Sequence, residues 1–509
     1  MTLDQLLRSG KPITVLLEAL SSAGPHYVSN VGYIASPTDP VAPNRSYPDW
    51  LVTVPEVRQS LPDGLFGRSA IGWSEAVISN PNGVRDAWLD DAWDGRAVRI
   101  LVGDTSWSLD QFQAVFIGVA TGLQTTPEGA LRLEMSDPRE QLNRPVQAAL
   151  LTTGARVGEP VPLCFGTVFN IEPVLIDPVL HTYRVHESAV AGIDEVYVGG
   201  LPVSYTSHPD GTFSLNVFPA GRVTCDVRGG VIGGVAIHRA DQLLRHFAER
   251  VGVTQFDDGS LATLATFAPQ SLGVYLPDRA NAIDVLDQVA ASVGAWWGFD
   301  GLGKITAAVA QPGVPVLTLI PDDSAQFSLQ IDRIDPPNWR RRIGYRRNYA
   351  VQTDGLFAAV DESVRARLGR EWDVAEASAP STRTLHPLAT DPDLEPTFLV
   401  LGYESRAEAA RRLALFGVPA KRVRMSAFAR AWALRPGQTV RVIHPRFGLA
   451  LGRDCLVTEV RRRVSSRTTE LLLWAGGTFV AGTPTVLATE TGQAVATESG
   501  ELIDIQESA

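Results

Sequence analysis

Lysine, cysteine and long apolar runs are scarce in this 509-residue sequence. Only Lys11, Lys304 and Lys421 are lysines, and the formal net charge is −11, which disfavours tight binding to nucleic-acid phosphates. The three cysteines are odd in number and far apart, so neither a disulfide framework nor a zinc site is predicted. No segment reaches the ~20 apolar residues of a membrane helix. The first residues show no pattern of a secretory signal.

The remaining composition is that of a folded, multidomain chain. Hydrophobic residues make up 45% and charged residues 20% of the sequence, as in globular proteins. A chain of this length exceeds one hydrophobic core, so several domains are expected. Strand-length segments rich in β-branched residues dominate both ends, and helical spacing is confined to the middle and to a stretch near residues 406–416. The predicted fold class is mainly β with a helical insert (α+β).

One β pattern occurs near both ends of the chain. Residues 95–100 match 437–442, residues 116–119 match the strand around Val457, and residues 131–135 match the strand that starts at Leu471. The three segments of each set are separated by similar distances along the chain. The pattern therefore predicts one β module that is present twice.

Two helices and a hairpin are predicted between these modules. The first helix has apolar residues at helical spacing between Ala240 and Val251, and the second begins after the N-cap residue Asn281. The second helix should pack its apolar face against Trp296 or Trp297 of the following hairpin. The predicted domains are a first tube-like β-barrel domain (1–157), a β-rich intermediate domain (158–236), an α+β domain with two helices and a hairpin (237–312), a second tube-like β-barrel domain (313–476) and an acidic C-terminal tail (477–509).

Motifs for catalysis, cofactors or metals are not found in the sequence. The histidines form no H-E-x-x-H pattern, and neither a P-loop nor a G-x-S-x-G occurs. The acidic pairs Asp257–Asp258 and Asp322–Asp323 have the residue type of glycosidase carboxylates, but such pairs more often lie in solvated turns. No catalytic residue, cofactor site or metal ligand is therefore predicted.

Arginines are concentrated in two short segments. The first is interleaved with Trp339, Tyr345 and Tyr349, a composition that also occurs on surfaces that bind single-stranded nucleic acid. In a chain with a net charge of −11, salt bridges across a subunit contact are the favoured interpretation. The candidate subunit-interface residues are Arg340, Arg341, Arg342, Arg346, Arg347, Arg461 and Arg463.

The layout resembles the tail hub proteins (baseplate hub or tail tip proteins) of long-tailed bacteriophages. Residues 94–100, 116–119 and 131–138 with Leu142 are similar to the first barrel of that family, and residues 434–442, 457–460 and 469–474 are similar to its second barrel. Residues 241–304 resemble the helical part between the barrels. The resemblance implies two tube-like β-barrel domains with intervening β and helical domains.

The resemblance also implies a function. Such a protein is a structural homotrimer that joins a hexameric tail tube to the tail tip or central fibre. The implied partners are a distal tail or tail tube protein and a tail-tip or fibre protein, with passive passage of DNA or tape-measure protein during genome ejection. The implied location is the virion tail tip, after assembly in the bacterial cytoplasm. No enzyme activity, cofactor, specific nucleic-acid binding or stable membrane insertion is implied.

Two other functions fit the same sequence. A polysaccharide-degrading tail enzyme would fit the β-rich chain and its scattered tryptophan and aspartate residues. A tail-tip receptor-binding protein would fit the β content and the Gly- and Thr-rich C-terminus. Turnover of a cell-wall polymer or saturable attachment to host cells would distinguish these alternatives from a hub.

Overall fold

The computed structural model describes residues 3–477 except 74, 326–327 and 465, together with 495–496 and 502–503. The chain is mainly β, as predicted, and its strands include one nearly closed barrel and one half-barrel sheet accompanied by a few helices. Most of the tail predicted at 477–509 lies outside the described residues.

The N-terminal part of the chain forms the first sheet and several short strands outside it. Its elements are α1 (Leu3–Arg8), β1 (Thr14–Ser21), β2 (Gly24–Ser29), β3 (Tyr33–Ile34), β4 (Ser46–Tyr47), β5 (Leu51–Thr53), β6 (Val57–Ser60), β7 (Gly67–Arg68), β8 (Ala70–Trp73), β9 (Ala76–Ile78), β10 (Ala97–Gly103), β11 (Gln113–Thr125) and β12 (Leu131–Ser136). The sheet order is β2-β1-β10-β11-β12-β9-β5. The Ser29 amide donates to the Pro48 carbonyl at 2.7 Å, which ties β2 to the segment that enters β5. The sheet therefore nearly closes on itself.

The intermediate part of the chain forms two further sheets. Its strands are β13 (Leu163–Ile171), β14 (Val174–Asp177), β15 (Thr182–Arg184), β16 (Val190–Val198), β17 (Leu201–Pro202), β18 (Tyr205–Ser207), β19 (Thr212–Leu215), β20 (Val223–Ile232) and β21 (Val235–Ala236). One sheet has the order β14-β15-β19-β18. The other contains β17, β16, β20 and β13 and continues to a strand of the next segment.

The helical segment has three helices where the sequence predicts two. Its elements are α2 (Ala240–Arg250), α3 (Asp258–Phe267), β22 (Gly273–Leu276), α4 (Ala282–Ser292), β23 (Ala295–Phe299) and β24 (Ile305–Val309). Helix α3 was missed because its sequence contains Gly259 and two threonines and has little amphipathic pattern. Its N-cap is Asp257, whose carboxylate accepts from the Ser260 amide at 3.2 Å.

The predicted contact between α4 and the hairpin is present. Trp297 is fully buried in the same apolar cluster as Leu286 and Val289 of α4, and its indole N–H donates to Asp287 at 2.8 Å. Trp296 points to the other face of the strand and packs in a separate cluster with Trp474. The alternation of side chains along a strand separates the two tryptophans.

The last part of the chain forms the second barrel sheet and an excursion from it. Its elements are β25 (Leu317–Leu319), β26 (Gln330–Asp335), β27 (Arg340–Tyr345), α5 (Glu362–Leu368), β28 (Asp373–Ser378), α6 (Pro380–Leu385), β29 (Glu395–Pro396), α7 (Gly402–Phe416), β30 (Ala420–Ala427), β31 (Thr439–His444), β32 (Leu449–Arg463) and β33 (Thr468–Ala475), followed by β34 (Val495–Ala496) and β35 (Leu502–Ile503). The sheet order is β25-β31-β32-β33-β30-β26. Strands β27, β28 and β29 form their own sheet, against which α7 packs.

The two barrel sheets repeat the same local geometry. Gly95 and Gly437 both have positive φ, at 72° and 88°, and their amides donate to Ala120 and Val457 at 2.9 and 2.8 Å. The central strands β11 and β32 carry a bulge directly after these residues, between 120 and 122 and between 457 and 459. The predicted matches of 95–100 with 437–442 and of 116–119 with the strand near Val457 agree with this geometry.

The third predicted match is wrong by two residues. Counted from the bulge, Leu133 is the counterpart of Leu471, because Leu133 pairs with Leu123 and Leu471 pairs with Val460. The sequence pattern paired Leu131 with Leu471 instead. A shift of two residues keeps every side chain on the same face, so alternation alone cannot distinguish the two alignments.

Residues 54–73 contain two strands that pair with other parts of the chain. Strand β6 pairs antiparallel with β32 of the second sheet, from Ser60 opposite Glu459 to Val57 opposite Arg462. Strand β7 pairs with β23 of the helical segment. A segment of the first barrel is therefore an integral strand of the second sheet. No helix of the described residues is long and apolar enough to span a membrane.

Candidate functional site

The pairing of β6 with β32 is surrounded by ion pairs, and we call this contact the staple. Arg58 of β6 donates twice to Glu459 of β32, at 2.8 Å for each bond. Glu56 accepts from Arg461 at 2.6 Å and from Arg463 at 3.0 Å. The predicted interface residues Arg461 and Arg463 thus join two parts of one chain, because Glu56 lies on the segment that leads into β6. Arg463 also pairs with Glu470 of β33, at 2.7 Å.

Arg462 is the middle member of the same arginine run, and it is partly buried. Its guanidinium donates to the Trp432 carbonyl at 2.8 Å, to Gln59 at 2.9 Å and to the Leu434 carbonyl. Burial lowers the pKa of Arg462 to about 10. Alternate residues of a strand face opposite sides, which explains why Arg461 and Arg463 reach Glu56 while Arg462 points inward.

The second arginine run lies on β27, and carboxylates of the same chain surround it. Arg340 forms a two-bond ion pair with Asp391, and Arg342 donates to Asp391 at 3.3 Å. The hydrogen bond that Arg340 donates to Asp391 raises the pKa of Arg340. Arg341 reaches Glu395 at 2.6 Å on the opposite face of the strand. Its side chain is only 13% exposed, so little of it is accessible to another subunit.

Arg346 and Arg347 follow the end of β27 and stack on aromatic rings. Arg346 lies 4.5 Å from the ring centre of Phe169, and Arg347 lies 4.8 Å from that of Tyr349. Arg347 also pairs with Glu371 at 2.9 Å. Tyr349, one of the interleaved aromatics, and Phe169 of β13 therefore serve as platforms for arginines within the chain.

Helix α7 carries a buried ion-pair network beside β27 and β29. Glu408 and Arg412 are each 2% exposed, and their side chains are 2.7 Å apart. Arg412 also reaches Glu395 and donates to the Ala291 carbonyl, at the C-terminal end of α4, at 2.7 Å. The nearby arginines hold the pKa of Glu408 below its usual value, although burial acts in the opposite direction. This network ties α7, α4 and β29 together.

The acidic pairs weighed as glycosidase carboxylates serve local structure. Asp257 caps α3, and Asp258 forms an ion pair with Arg245. Asp323 pairs with Arg430 at 3.0 Å and accepts from the Ile320 amide at 3.1 Å. Asp257 and Asp323 therefore hold a helix start and a turn, and Asp258 joins the start of α3 to α2.

One serine, histidine and aspartate cluster comes together only in the fold. Ser21 Oγ lies 2.8 Å from His26 Nε2 and donates to Asp91 at 2.8 Å. Asp91 also faces Nε2, at 3.7 Å, so the serine and the carboxylate approach the same imidazole nitrogen. A catalytic triad needs the carboxylate on the other nitrogen, where it orients the ring. Burial lowers the pKa of His26, and the ring packs between Trp88 and Trp93, as expected for a core contact.

A cleft of about 450 Å³ lies where the staple, the β23–β24 hairpin and the second sheet meet. Asp257 and Asp300 are among its lining residues, but Asp300 accepts from the amides of Leu302 and Lys304 at 2.9 Å each. The Trp296 indole N–H faces this region and has no hydrogen-bond partner among the described residues. Among the residues that the structure describes, no group of three or more potential metal-ligating side chains is found.

The residues that sequence reasoning missed are those of the staple. Glu56, Arg58 and Gln59 lie about 400 residues from their partners in β32. No local pattern marks such a contact, and only the charge complementarity between Glu56 and the 461–463 run could have suggested it.

Several solved structures are similar to this chain. The 43 kDa tail protein of prophage MuSo2 from Shewanella oneidensis has 9% identity and a TM-score of 0.42, and the match covers 91% of this chain and 98% of that chain. A tail protein from Neisseria meningitidis MC58 has 11% identity and a TM-score of 0.40, over 91% of this chain and 97% of that chain. A chain of the virion of a native gene transfer agent particle has 13% identity and a TM-score of 0.42, over 65% and 87%.

No protein-family model and no curated protein matches the sequence. The first two structural neighbours are tail proteins, the kind of protein that the sequence resembles. With identities below 25% and TM-scores below 0.5, these neighbours do not transfer a function to this chain.

Proposed function

We propose that this chain is a structural protein of a bacteriophage tail, and more narrowly a homotrimeric hub that joins a hexameric tail tube to the tail tip or central fibre. One observation carries the proposal: a single chain holds two sheets whose central strands have the same order, the same positive-φ glycine and the same bulge. Three such chains present six similar sheets. A threefold assembly can therefore match a sixfold ring without six identical subunits.

The staple supports this role mechanically. Because β6 is a strand of the second sheet, the two barrel sheets cannot rotate independently without breaking the backbone pairing between β6 and β32. The ion pairs of Glu56 with Arg461 and Arg463 reinforce the same contact. An adaptor needs its two ring positions at a constant separation, and a strand shared between the sheets provides it.

We propose a tail tube protein as the partner on the hexameric side and a tail-tip or fibre protein on the other. DNA or tape-measure protein would pass through the assembly without specific binding. The net charge of −11 and the carboxylate partners of Arg340, Arg342 and Arg347 support passive passage, because neutralised arginines hold phosphate weakly.

The seven arginines named from the sequence stay proposed subunit-contact residues. Five of them have side chains that are 25–41% exposed, so a neighbouring subunit could share or exchange their carboxylate partners; they are Arg340, Arg342, Arg347, Arg461 and Arg463. Arg341 is the least accessible of those with an ion pair. Arg346 would contribute through the ring stack on Phe169.

Mass measurement of the purified full chain, alone and mixed with its tail tube protein, tests the proposal. The expected result is a trimer of the 54.9 kDa chain that binds a ring of tube protein. A monomer at every concentration that binds no tube protein would contradict it. Turnover of a cell-wall or capsular polymer by the isolated chain would instead favour a tail enzyme, and saturable attachment to host cells would favour a receptor-binding protein.

A further inference from the structure

The two central strands of the barrel sheets differ at one edge. In β32, strand β31 pairs with residues 449–456, and β6 pairs with residues 459–462 farther along the same side. In β11, strand β10 pairs with residues 113–119 on the corresponding side, and Ala120 bonds with Gly95 and Arg96. Within the described chain no strand pairs with residues 122–125 on that side. The first sheet thus has an open edge where the second sheet holds the staple.

The counterpart of β6 in the second sheet is β26. Strand β6 pairs with β8, which leads into β9, and β26 pairs with the first half of β30, which leads into the half that contains Met425. Register confirms the match: Arg58 lies opposite Gly72, four residues before Ala76, and Ile334 lies opposite Lys421, four residues before Met425. Ala76 and Met425 are themselves equivalent, because they pair with Leu133 and Leu471.

Strand β26 is also an open edge. It ends the second sheet, and its second side pairs with no strand among the described residues. Ile334 is 57% exposed on this edge, and Gln330, Asp332 and Arg333 are exposed as well. An exposed edge strand is a template for pairing with another chain.

We propose that β26 of one chain pairs antiparallel with residues 122–125 of β11 in a neighbouring copy, and so repeats between chains the pairing of β6 with β32 within the chain. The inference rests on the proposed homotrimer and specifies the contact between neighbouring chains in its ring. Each chain offers one strand and one different edge. Such a contact is head-to-tail, and successive head-to-tail contacts form a closed ring when the rotation permits.

The side chains at the two edges suit this pairing. Residues 121–125 of β11 are Thr, Gly, Leu, Gln and Thr, so the receiving edge carries no charge. The charges of β26 already have partners in their own chain: Asp332 pairs with Arg424 at 3.1 Å, and Arg333 pairs with Asp335 at 2.8 Å. Pairing therefore buries no unpaired charge, and it covers the exposed Ile334.

Disulfide trapping in the full chain tests the contact. Gln124 is the counterpart of Arg461 and Ile334 that of Arg58, so Gln124→Cys with Ile334→Cys places two cysteines opposite each other across the proposed contact. Directly opposed residues of antiparallel strands are about 4.5–5.5 Å apart at Cα, within the range of a disulfide. The native Cys164, Cys225 and Cys455 are buried and will not compete.

The expected product of oxidation is a ladder that ends at three times the 54.9 kDa chain mass under non-reducing conditions. The matched control is Arg58→Cys with Arg461→Cys, which lie opposite each other in the staple. That pair should close within one chain and leave the mass at 54.9 kDa. A mixture of the two single variants, Gln124→Cys and Ile334→Cys, should stop at covalent dimers.

A second control separates a defined contact from collision. Leu451 is fully exposed on β32, away from the proposed edge. If Leu451→Cys with Ile334→Cys cross-links as fast as the test pair, the inference is wrong. A protein that is trimeric by light scattering but whose test pair stays open while the control pair closes also overturns the inference, and the proposed hub survives. A chain that is monomeric throughout overturns both.

Discussion

The first barrel sheet is nearly closed and the second is open, although their central strands follow the same order, β10-β11-β12-β9 in the first and β31-β32-β33-β30 in the second. Strand β1 pairs antiparallel with β10, and β2 extends the sheet until Ser29 bonds to Pro48. In the second sheet the corresponding outer strand, β25, pairs parallel with β31, and no further strand lies beside it among the described residues. The part that the two sheets share is therefore the three-strand core with its bulge, whereas their outer strands differ.

This difference shows where contacts with other chains are available. In the first sheet the N-terminal strands pair with β10, and residues 122–125 of β11 keep one edge that no described strand occupies. In the second sheet β6 of the first barrel pairs with β32, and one edge of β26 has no partner strand among the described residues. Unpaired strand edges carry free N–H and C=O groups. Because the two sheets differ in this way, the two copies of the module present two different strand edges that can pair with each other.

The largest expected effect is that of truncating matched core leucines. Leu133 and Leu471 are 0% and 1% exposed at equivalent positions. Leu133→Ala and Leu471→Ala should each lower the free energy of unfolding by about 2–5 kcal/mol, because each leaves a cavity. Denaturant unfolding followed by circular dichroism measures the change, with the exposed Leu451→Ala as a control that changes little. A loss confined to one of the two leucines would show that the sheets are not equivalent in packing.

The two positive-φ glycines should separate backbone strain from crowding. Gly95→Ala places its methyl group in open space, so only the left-handed conformation is penalised, by about 1–2 kcal/mol. Gly437→Ala brings the methyl group to 2.7 Å from the Trp296 ring, which adds about 1–3 kcal/mol of overpacking. The difference between the unfolding free energies of the two variants measures the cost of overpacking against Trp296. Equal losses would mean that Trp296 moves aside without cost.

Substitutions at Gln59 and Gln124 compare two edges. Gln59 lies on β6, which pairs with the edge of β32, and Gln124 lies on the edge of β11 that no described strand occupies. The side-chain oxygen of Gln59 accepts from the partly buried Arg462, and Gln59 itself is 8% exposed. Gln59→Ala should cost about 1–3 kcal/mol, because a partly buried charged donor loses its partner. Gln124→Ala on the open edge should change the stability of the monomer by less than about 0.5 kcal/mol. A comparable loss at both positions in monomeric protein would argue against the open edge of β11.

The smallest expected effect is that of the ion pair at the rim of the staple. The side chain of Arg58 is 59% exposed, and that of Glu459 is 16% exposed. A double-mutant cycle with Arg58→Ala and Glu459→Ala should give a coupling energy of about 0.2–1 kcal/mol. The coupling should decrease at high salt, since solvent-exposed charges are screened. A coupling that is independent of salt would place the pair in a drier environment than its exposure indicates.

Much of this fold follows from local pattern. Alternating apolar residues predict the strands around 97–103, 439–444 and 468–475, and helical spacing predicts α2 and α4. The repeat of the glycine and the first two strands was visible for the same reason, since a turn that needs positive φ favours glycine. Helix α3 was missed because its sequence carries little periodicity, and the third strand was aligned two residues away because alternation has a period of two.

The candidate site was predictable in composition but not in partners. Arg461 and Arg463 were recognised as salt-bridging residues, and Arg340 to Arg347 as an arginine and aromatic cluster. Their carboxylates Glu56, Asp391 and Glu371 lie in segments that are distant in sequence or belong to irregular loops. Ion pairs have no periodicity along a chain, so pairing within the chain could not be distinguished from pairing between subunits.

The sequence by itself determined the class of this protein: mainly β, with a module present near both ends and a helical segment between them. These features depend on short-range periodicity and turn chemistry, which are local properties of the chain. The tertiary structure decided that β6 leaves its own barrel to pair with the second sheet, and that β11 and β26 each have an edge without a partner strand in the described part of the chain. Strand pairing is made through backbone groups that every residue carries, so only the folded chain shows which edges meet.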